Sequence, residues 1–372
     1  MAATHHPPSS PADLQTPNTP APANAAAQRK PTILHLGDDI RWNHDLYARL
    51  SQKFTIVRTH SLPRAAFKRG LQDRTWGDFV AMYRPFWNTG GEMGNWDDEL
   101  IALLPASCKL FASAGAGYDW VDTRLLGTRG ITYCNAASAC SESVADAALF
   151  LILATYRLFG WSARAAHSCS PEQFSDAMRN IGAQTHNPNG TVLGIVGLGR
   201  IGARIATKAR ALEMDVWYHD VERWDERAAG VGARWCASLE ELLCGSDCVV
   251  LAAPFSGRVL LGAAEFAWFK RGARLVNVAR GALVDEDALL CALDEGRLAA
   301  VGMDVHATEP VVNRELAGRR NVMMLSHTAG ASVESHVGFE RMGMENLLGW
   351  LERGEEGLLS PVNLQWLNRD GK

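Results

Sequence analysis

The stretch VLGIVGLGRIG at residues 192–202 decides the fold of this 372-residue chain. It begins as an apolar strand and passes directly into the pattern GxGxxG, with glycines at Gly197, Gly199 and Gly202. In a strand–turn–helix unit, the first glycine permits a tight turn, the second lets the backbone approach a pyrophosphate, and the third lets the helix pack close to the strand. Since a helix start presents free N–H groups to anions, the stretch predicts a dinucleotide site rather than a structural turn alone.

The residues after these glycines complete the unit. The sequence predicts a helix from Ala203 to Leu212 and a second strand, Val216–His219, that ends at Asp220. A carboxylate at this position, 18 residues beyond Gly202, bonds the hydroxyls of an adenosine ribose and repels a 2′-phosphate. NAD is therefore the expected cofactor and NADP the less favoured one, although Arg223 lies close enough in sequence to weaken the preference.

Strand and helix patterns extend outward from this unit in both directions. In the second half of the chain, six apolar runs alternate with helical segments and predict one parallel sheet, with strands at 193–196, 215–219, 248–252, 274–278, 300–303 and 322–325. The first half repeats the pattern, with predicted strands at 32–36, 54–57, 79–83, 109–112 and 131–134. A helix at 141–158 leads from the first sheet to the second, and a helix at 333–353 returns to the first.

The predicted fold class is α/β, with two Rossmann-like domains that are each built on a doubly wound parallel sheet. Residues 31–140 and 333–372 form the expected substrate domain, and residues 141–332 form the expected NAD-binding domain. Residues 1–30 are rich in Pro, Ala, Ser and Thr and are expected to form a disordered extension, because they offer few large apolar side chains to bury. The most apolar stretch, 147–158, is interpreted as a buried helix too short to span a bilayer.

Composition narrows the expected partners. The net charge of −4 and the lack of a basic run argue against binding to nucleic acid or to a membrane surface. None of the eight cysteines forms a CxxC pair, and no histidine near Cys244 and Cys248 completes a zinc set, so no metal is expected. Reduced thiols without a recognisable secretory signal favour a cytoplasmic location.

Three further segments place reactive side chains where predicted strands end. VNVARG carries Arg280, GMDVHATEP carries Asp304 and Glu309, and SHTAG carries His327. Ligands of such sheets bind beyond the carboxyl ends of the strands. An arginine fork can hold the carboxylate and carbonyl oxygen of a 2-keto acid, and a histidine beside a carboxylate can exchange a proton with the forming alkoxide. The set therefore predicts hydride transfer between a nicotinamide and a small 2-keto or 2-hydroxy acid.

Together, GLGRIG (197–202), VNVARGALVDEDAL (276–289), GMDVHATEP (302–310) and SHTAG (326–330) resemble the D-isomer-specific 2-hydroxyacid dehydrogenase family. The likeness extends from about Pro31 to Pro361. Within the family, FASAGAGYDWVD (111–122) and THNPNGTVLGIVGLG (185–199) are most similar to the fungal D-mandelate dehydrogenase-like branch. The resemblance implies an NAD-dependent enzyme that interconverts a 2-keto acid and a D-2-hydroxy acid and that pairs as a homodimer.

The resemblance also implies a role for each motif residue. Arg280 binds the substrate and polarises its carbonyl, His327 donates the proton, and Glu309 pairs with His327 and favours its protonated form. Asp304 meets the nicotinamide side of the cofactor. The implied cofactor-binding residues are Gly197, Gly199, Arg200, Ile201, Gly202, Asp220, Ala253, Pro254, Val278, Ala279, Arg280, Asp304, His327 and Gly330. The implied substrate contacts are the backbone N–H groups of Ala116 and Gly117, together with Arg280 and His327, unless that glycine loop is an ordinary strand-to-helix turn.

Two departures from the family pattern, and one aromatic segment, bear on specificity. The loop at Phe255–Val259 is shorter than usual, and Thr328 stands where the family has a large aliphatic residue. The rings of Tyr83, Phe86 and Trp87 either line a pocket for a bulky acid such as benzoylformate or pack in the core or an interface. Glyoxylate and hydroxypyruvate are the smaller candidate substrates.

Other functions remain open from the sequence. Some relatives are NAD-sensing transcriptional corepressors that keep the fold and the Arg–Glu–His set. Formate and phosphoglycerate dehydrogenases also share the fold; Glu309 argues against the first, and the lack of an appended regulatory domain argues against the second. A nucleotide-dependent methyltransferase would share only the glycine loop. The expected dimer contacts are the apolar helix from Ser143 to Leu158 and the segment Trp161–Phe174.

Overall fold

The computed structural model describes residues 29–86 and 93–367. These residues form two separate sheets, in which every pair of neighbouring strands is parallel. The extension expected at residues 1–30 lies outside the described residues as far as position 28. The predicted aromatic residue Trp87 also lies outside them.

The first sheet has five strands in the order β2-β1-β3-β4-β5. Its strands are β1 (Thr32–Leu36), β2 (Thr55–Thr59), β3 (Ala81–Arg84), β4 (Leu110–Ser113) and β5 (Thr132–Cys134). The connecting helices are α1 (His44–Lys53), α2 (Arg64–Gln72), α3 (Asp98–Ile101) and α4 (Thr123–Thr128). The strand order reverses at β1, as in a doubly wound sheet, so the loops after β1, β3 and β4 meet at one edge.

Three helices lead from this sheet to the next: α5 (Ser141–Arg157), α6 (Phe159–His167) and α7 (Pro171–Asn180). The second sheet has seven strands, β6 (Val192–Val196), β7 (Asp215–His219), β8 (Ala233–Trp235), β9 (Cys248–Leu251), β10 (Ala273–Asn277), β11 (Leu298–Met303) and β12 (Val322–Met324). Its helices are α8 (Arg200–Arg210), α9 (Asp225–Val231), α10 (Leu239–Gly245), α11 (Ala263–Trp268), α12 (Glu286–Asp294) and α13 (Arg314–Gly318).

The second sheet has the order β12-β11-β10-β9-β6-β7-β8 and therefore reverses direction between β6 and β9. This is the strand order of a dinucleotide-binding sheet with one strand added beyond the sixth, and it confirms the predicted α/β class with two Rossmann-like sheets. The prediction of six strands was wrong by one. The missed strand, β8, has only three residues and lies at the sheet edge with an exposed central residue, so it carries no apolar run.

Helix α5 packs against α8 and against β10, β11 and β12 of the second sheet. Its side chains Val144, Ala148 and Leu151 are buried in that core. Together with the turn before it, the helical segment 137–157 is long and apolar enough to cross a membrane by length and composition. The apolar stretch 147–158 was predicted to be too short to span a bilayer. That prediction is wrong in length, because the whole helical segment is longer than this stretch. The contacts of α5 are those of a core helix, and core helices can also meet these criteria of length and composition.

The last long helix, α14 (Val333–Arg353), returns to the first sheet and has the predicted bounds. It packs against α1, β3 and β4. Met344 and Leu347 of this helix are fully buried in one core with Ile33 and Ala81 of the sheet. The chain reaches α14 directly from β12, the last strand of the second sheet. The helix therefore returns the chain from the second sheet to the first.

Candidate active site

The three glycines of the opening stretch have three different surroundings. Gly197 has a φ of +93°, and a Cβ there would lie 3.0 Å from the backbone of Ala252 and Ala253. A Cβ on Gly202 would lie 2.0 Å from the carbonyl oxygen of Gly197. A Cβ on Gly199 would meet no atom within 4 Å, and α8 begins at the next residue. The turn is thus closed on two sides and open on the side where a pyrophosphate would approach the helix N-terminus.

Asp220 follows β7 and turns back toward this glycine turn. Its Oδ2 accepts the N–H of Leu198 at 2.8 Å, which leaves Oδ1 to accept from ribose hydroxyls. Arg223 is directed elsewhere, because its Nε lies 2.6 Å from Asp225 and its guanidinium lies over the ring of Trp235. Arg223 was expected to weaken the preference for NAD over NADP. Asp225 competes with a 2′-phosphate for its guanidinium.

The remaining predicted cofactor residues lie at the same carboxyl edge of the second sheet. Arg200 and Ile201 begin α8; Ala253 and Pro254 follow β9; Val278 and Ala279 follow β10; Gly330 lies in the loop after β12. Strands β6, β9 and β10 are neighbours, and the strand order reverses between β6 and β9, where the loops of a doubly wound sheet leave a groove for a ligand. The open glycine turn, the acidic strand end and this shared groove fit a dinucleotide, and these residues would hold it.

Asn277 shapes the turn that carries Arg280. Its side chain is buried, its Nδ2 donates to the carbonyl of Arg280 at 2.8 Å, and its Oδ1 accepts the N–H of Ala279 at 3.0 Å. Asn277 lies within the motif VNVARG, but its role was not predicted from the sequence. The signal was a polar side chain at the end of an otherwise apolar strand, where a buried amide requires hydrogen-bond partners.

Arg280 reaches across to the first sheet. Its Nε donates to Oδ1 of Asp119 at 2.8 Å, and its Nη1 donates to the carbonyl of Ala279 at 2.7 Å. A Cβ on Gly117 would lie 1.3 Å from Nη2. Only glycine leaves room for the guanidinium here, so the arginine and the glycine loop, both predicted to bind the substrate, are in direct contact. The role of Asp119 was not predicted.

The loop at Ala116–Gly117 is held by its carbonyl groups. Asn135 donates its Nδ2 to the carbonyl of Ala116 at 2.8 Å, and the N–H of Ala136 donates to Gly115, whose φ is +90°. Within residues 29–86 and 93–367, neither backbone N–H of the Ala116–Gly117 pair has an acceptor. These two donors beside a guanidinium form a setting suited to a carboxylate.

His327 and Glu309 form an ion pair. Nδ1 of His327 lies 2.7 Å from Oε2 of Glu309, and each side chain is 34% exposed. Oε1 of the same carboxylate accepts the N–H of His306 at 2.9 Å. Burial of Glu309 by itself would raise the pKa of its carboxyl, but the hydrogen bonds from His327 and His306 hold that pKa below its usual range. The carboxylate therefore stays ionised across the range in which a histidine titrates.

Asp304 holds the histidine loop in an uncommon backbone conformation. His327 has a φ of +56°, a region that non-glycine residues seldom adopt. The carbonyl of Asp304 accepts its N–H at 2.8 Å, and the buried carboxylate accepts the N–H groups of Thr328 and Ala329. These contacts are with the loop, so the predicted contact of Asp304 with the nicotinamide stays a prediction.

Backbone packing brings the arginine turn against the segment that carries the carboxylate. A Cβ on Gly281 would lie 2.0 Å from the carbonyl carbon of His306 and 2.5 Å from the nitrogen of Ala307. Arg280 and Glu309 are therefore held at one edge by adjoining loops. The described residues contain no group of three or more His, Cys, Asp or Glu side chains that could hold a metal ion.

Substituting Glu309→Gln tests the pair. We expect kcat/KM for keto-acid reduction to fall roughly tenfold, less than for loss of the histidine itself. The pair exists only while the carboxyl of Glu309 is ionised. The pKa of this carboxyl lies below its usual range, so the wild-type rate should fall at acid pH as the carboxyl takes up a proton, and Glu309→Gln should lack this acid limb. The measurement is kcat/KM against pH, with Glu295→Gln as a matched exposed control. An unshifted profile in Glu309→Gln would remove the pair from the chemistry.

The chain is similar to known proteins in both sequence and fold. Residues 149–329 match the family model described as D-isomer specific 2-hydroxyacid dehydrogenase, NAD binding domain. 4-Methyl-2-oxopentanoate reductase A of Aspergillus oryzae is 33% identical over 336 residues, which cover 89% of this chain and 98% of the relative.

Two solved structures have the same fold over most of their length. Apo D-mandelate dehydrogenase of Rhodotorula graminis matches with a TM-score of 0.85 and 40% identity, covering 90% of this chain and 98% of that one. A glyoxylate reductase from Paecilomyes thermophila matches with a TM-score of 0.83 and 32% identity, covering 90% and 99%. At this coverage, the likeness in fold includes both sheets.

Proposed function

Since the chain belongs to the D-isomer specific 2-hydroxyacid dehydrogenase family, we propose that it interconverts a 2-keto acid and a D-2-hydroxy acid with NAD. One observation carries the proposal: the guanidinium of Arg280 lies against the glycine loop at Gly117, while the His327–Glu309 pair lies at the same edge of the second sheet. This arrangement supports a site in which Arg280 grips an acid and His327 exchanges a proton beside a bound dinucleotide.

The mechanism follows from what each side chain can do. When bound, the reduced nicotinamide supplies the hydride that the carbonyl carbon accepts. The N–H groups of Ala116 and Gly117 bind the substrate carboxylate, and Arg280 binds the carboxylate and polarises the carbonyl with its remaining donors. Because Nδ1 of His327 is held by Glu309, the other ring nitrogen, Nε2, gives its proton to the forming alkoxide. In the reverse direction, the neutral ring removes the hydroxyl proton.

An aromatic cluster supports a bulky substrate. The rings of Trp42 and His336 stack at 5.8 Å, and the ring of Phe86 lies 6.2 Å from the first and 5.8 Å from the second. Phe86 follows β3, next to the strand that carries the glycine loop, and His336 lies in the first turns of α14, shortly after His327. We call this set the Trp42 cluster and propose that its exposed member, the indole of Trp42, forms one wall of the substrate pocket, with the buried ring of Phe86 packed behind it.

Part of the predicted aromatic region belongs to the core instead. Tyr83 is fully buried, and its hydroxyl donates to the carbonyl of Glu340 at 2.9 Å, so it does not line a pocket. The carboxylate of Glu340 is also fully buried and accepts the N–H groups of Arg41, Trp42 and Asn43. This carboxylate fixes the loop that presents the indole of Trp42, which is 37% exposed.

A panel of keto acids tests the proposal. We expect NADH oxidation with benzoylformate and 4-methyl-2-oxopentanoate at kcat/KM values roughly tenfold or more above that for glyoxylate, since the pocket wall buries the apolar side chain. Trp42→Ala should lower kcat/KM for benzoylformate about tenfold and leave glyoxylate nearly unchanged, which makes glyoxylate the internal control. Activity confined to glyoxylate would defeat the bulky pocket, and no activity with any keto acid would defeat the proposed function.

The cofactor preference depends on the charge of Asp220. We expect the wild type to prefer NADH, and Asp220→Asn to raise the NADPH-to-NADH ratio of kcat/KM roughly tenfold, because the amide keeps an acceptor for Leu198 but no longer repels a 2′-phosphate. Initial rates with both cofactors give the ratio, and Asp215→Asn, an exposed change at the start of β7, is the matched control. A wild type that prefers NADPH contradicts the assignment.

We also propose that two copies of the chain pair through the face built by α5, α6 and α7. Apolar side chains are exposed there, namely Phe150 (41%), Phe159 (41%), Phe174 (54%) and Met178 (68%). Exposed apolar patches of this kind mark association surfaces, and a self-complementary patch closes as a twofold dimer. A monomeric mass by light scattering at micromolar concentration would exclude the pairing.

A further inference from the structure

A cavity of about 280 Å³ opens at the amino-terminal edge of the second sheet. Residues at the starts of β6, β9 and β10 line it, together with Tyr156 from the last turn of α5. The glycine turn and the catalytic loops lie at the carboxyl ends of the same parallel strands. The cavity is therefore at the opposite edge from the proposed active site, and no step of the mechanism uses it.

The cavity has an excess of positive charge. Three cations line it, Lys270, Arg271 and Arg274, against one carboxylate, that of Asp247. Both oxygens of that carboxylate are already used: Oδ1 accepts from Nζ of Lys270 at 2.8 Å, and Oδ2 accepts the N–H of Val192 at 2.9 Å. Two arginines remain whose charge no carboxylate of the described residues balances within an ion-pair distance.

Arg274 is the more unusual of the two. Its side chain belongs to a residue only 6% exposed, and its Nε has no hydrogen-bond partner within the described residues. Nη1 makes one long bond, 3.4 Å, to the carbonyl of Gly272, and the guanidinium lies over the ring of Tyr156 at 4.0 Å. A ring face offsets part of the cost of burying a cation, but the charge of a buried guanidinium usually requires an anion.

We propose that this cavity binds a small phosphate dianion, either free or as the head of a small organic phosphate. The excess of two positive charges matches the charge of the dianion, and the forks of two guanidinium groups suit its tetrahedral oxygens. The bound phosphate supplies the acceptor that Nε of Arg274 lacks. The exposed Arg271 supplies the second guanidinium charge at the mouth of the cavity.

Isothermal titration with inorganic phosphate tests the site. The protein is saturated with NAD, so that the glycine turn is occupied, and the ionic strength is held constant. We expect saturable binding at one site per chain, about tenfold weaker affinity in Arg271→Gln, and loss of detectable binding in Arg274→Gln. The exposed Arg124→Gln in the first sheet's domain is the matched control and should bind like the wild type, as should Arg280→Ala, which removes the substrate grip.

Further arms separate the sources of the signal and guard against misfolding. The titration is repeated with glycerol phosphate. Tighter binding of glycerol phosphate than of phosphate identifies an organic ester as the ligand, and equal affinities identify the free ion. If Arg274→Gln does not fold, Arg271→Gln and Lys270→Gln carry the comparison. The proposal is overturned if the wild type shows no saturable heat, if malonate binds and phosphate does not, or if the variants bind phosphate as the wild type does.

Discussion

His327→Ala will lower kcat for keto-acid reduction by roughly 10²-fold or more, a loss of about 2.7 kcal/mol of transition-state stabilisation, while NADH binds almost as before. The reason is that the ring is the group placed to protonate the alkoxide. Its Nδ1 is hydrogen-bonded to Glu309 and its backbone N–H to the carbonyl of Asp304, so the ring is held in one orientation.

The measurement is steady-state kcat and KM, with the dissociation constant of NADH from its fluorescence. The exposed histidine variant His60→Ala is the matched control and should keep the wild-type rate. A slow residual reaction with an unchanged dissociation constant for NADH agrees with loss of the proton donor. A kcat within about threefold of the wild type would mean that another group supplies the proton.

Arg280→Ala should be at least as damaging, with roughly 10²-fold or greater loss in kcat/KM from both a raised KM and a lowered kcat. The guanidinium acts on the substrate's carboxylate in the ground state and on the carbonyl oxygen as negative charge develops there. The variant also exposes the carboxylate of Asp119, which Arg280 neutralises at 2.8 Å, to an anionic substrate.

This second effect gives the experiment its control. The double variant Arg280→Ala/Asp119→Asn removes the unpaired carboxylate and should recover part of KM but not kcat. Arg280→Lys keeps the charge but not the fork of donors, and it should remain well below the wild type. If Arg280→Lys matches the wild type, the arginine contributes charge alone, and the double-donor grip on the acid is wrong.

The sequence predicted the fold where its patterns are local. The glycine pattern predicted the tight turn from β6 into α8, where Gly197 has a φ of +93° and Gly202 packs against the carbonyl of Gly197. The bounds of α14 follow from its periodicity and its capping Ser332. The helix predicted to start at Ala203 begins at Arg200, because Gly199 already has the extended backbone of a helix cap. The edge strand β8 lacks any such local signal.

In the candidate site, the sequence predicted side chains that would contact ligands, but not the residues that hold those side chains in position. Arg280, Glu309 and His327 stand in recognisable motifs. One of their supports is far away along the chain: Asp119 is 161 residues from its arginine, and the spacing of a motif gives no sign of such a contact. The same limit applies to Tyr83, because the sequence alone does not distinguish an aromatic residue at a strand end that packs in the core from one that lines a pocket.

Direct transfer of deuterium is the sharpest test of the central claim. The protein would be given NADH carrying deuterium at C4 of the nicotinamide, in separate experiments with each face labelled, together with benzoylformate. With one of the two labelled faces, mass spectrometry and chiral chromatography should find deuterium at C2 of D-mandelate; with the other, the same product should carry none. Product without deuterium from either face, or product of the L configuration, would contradict the proposed placement of the acid between Arg280, His327 and the dinucleotide groove.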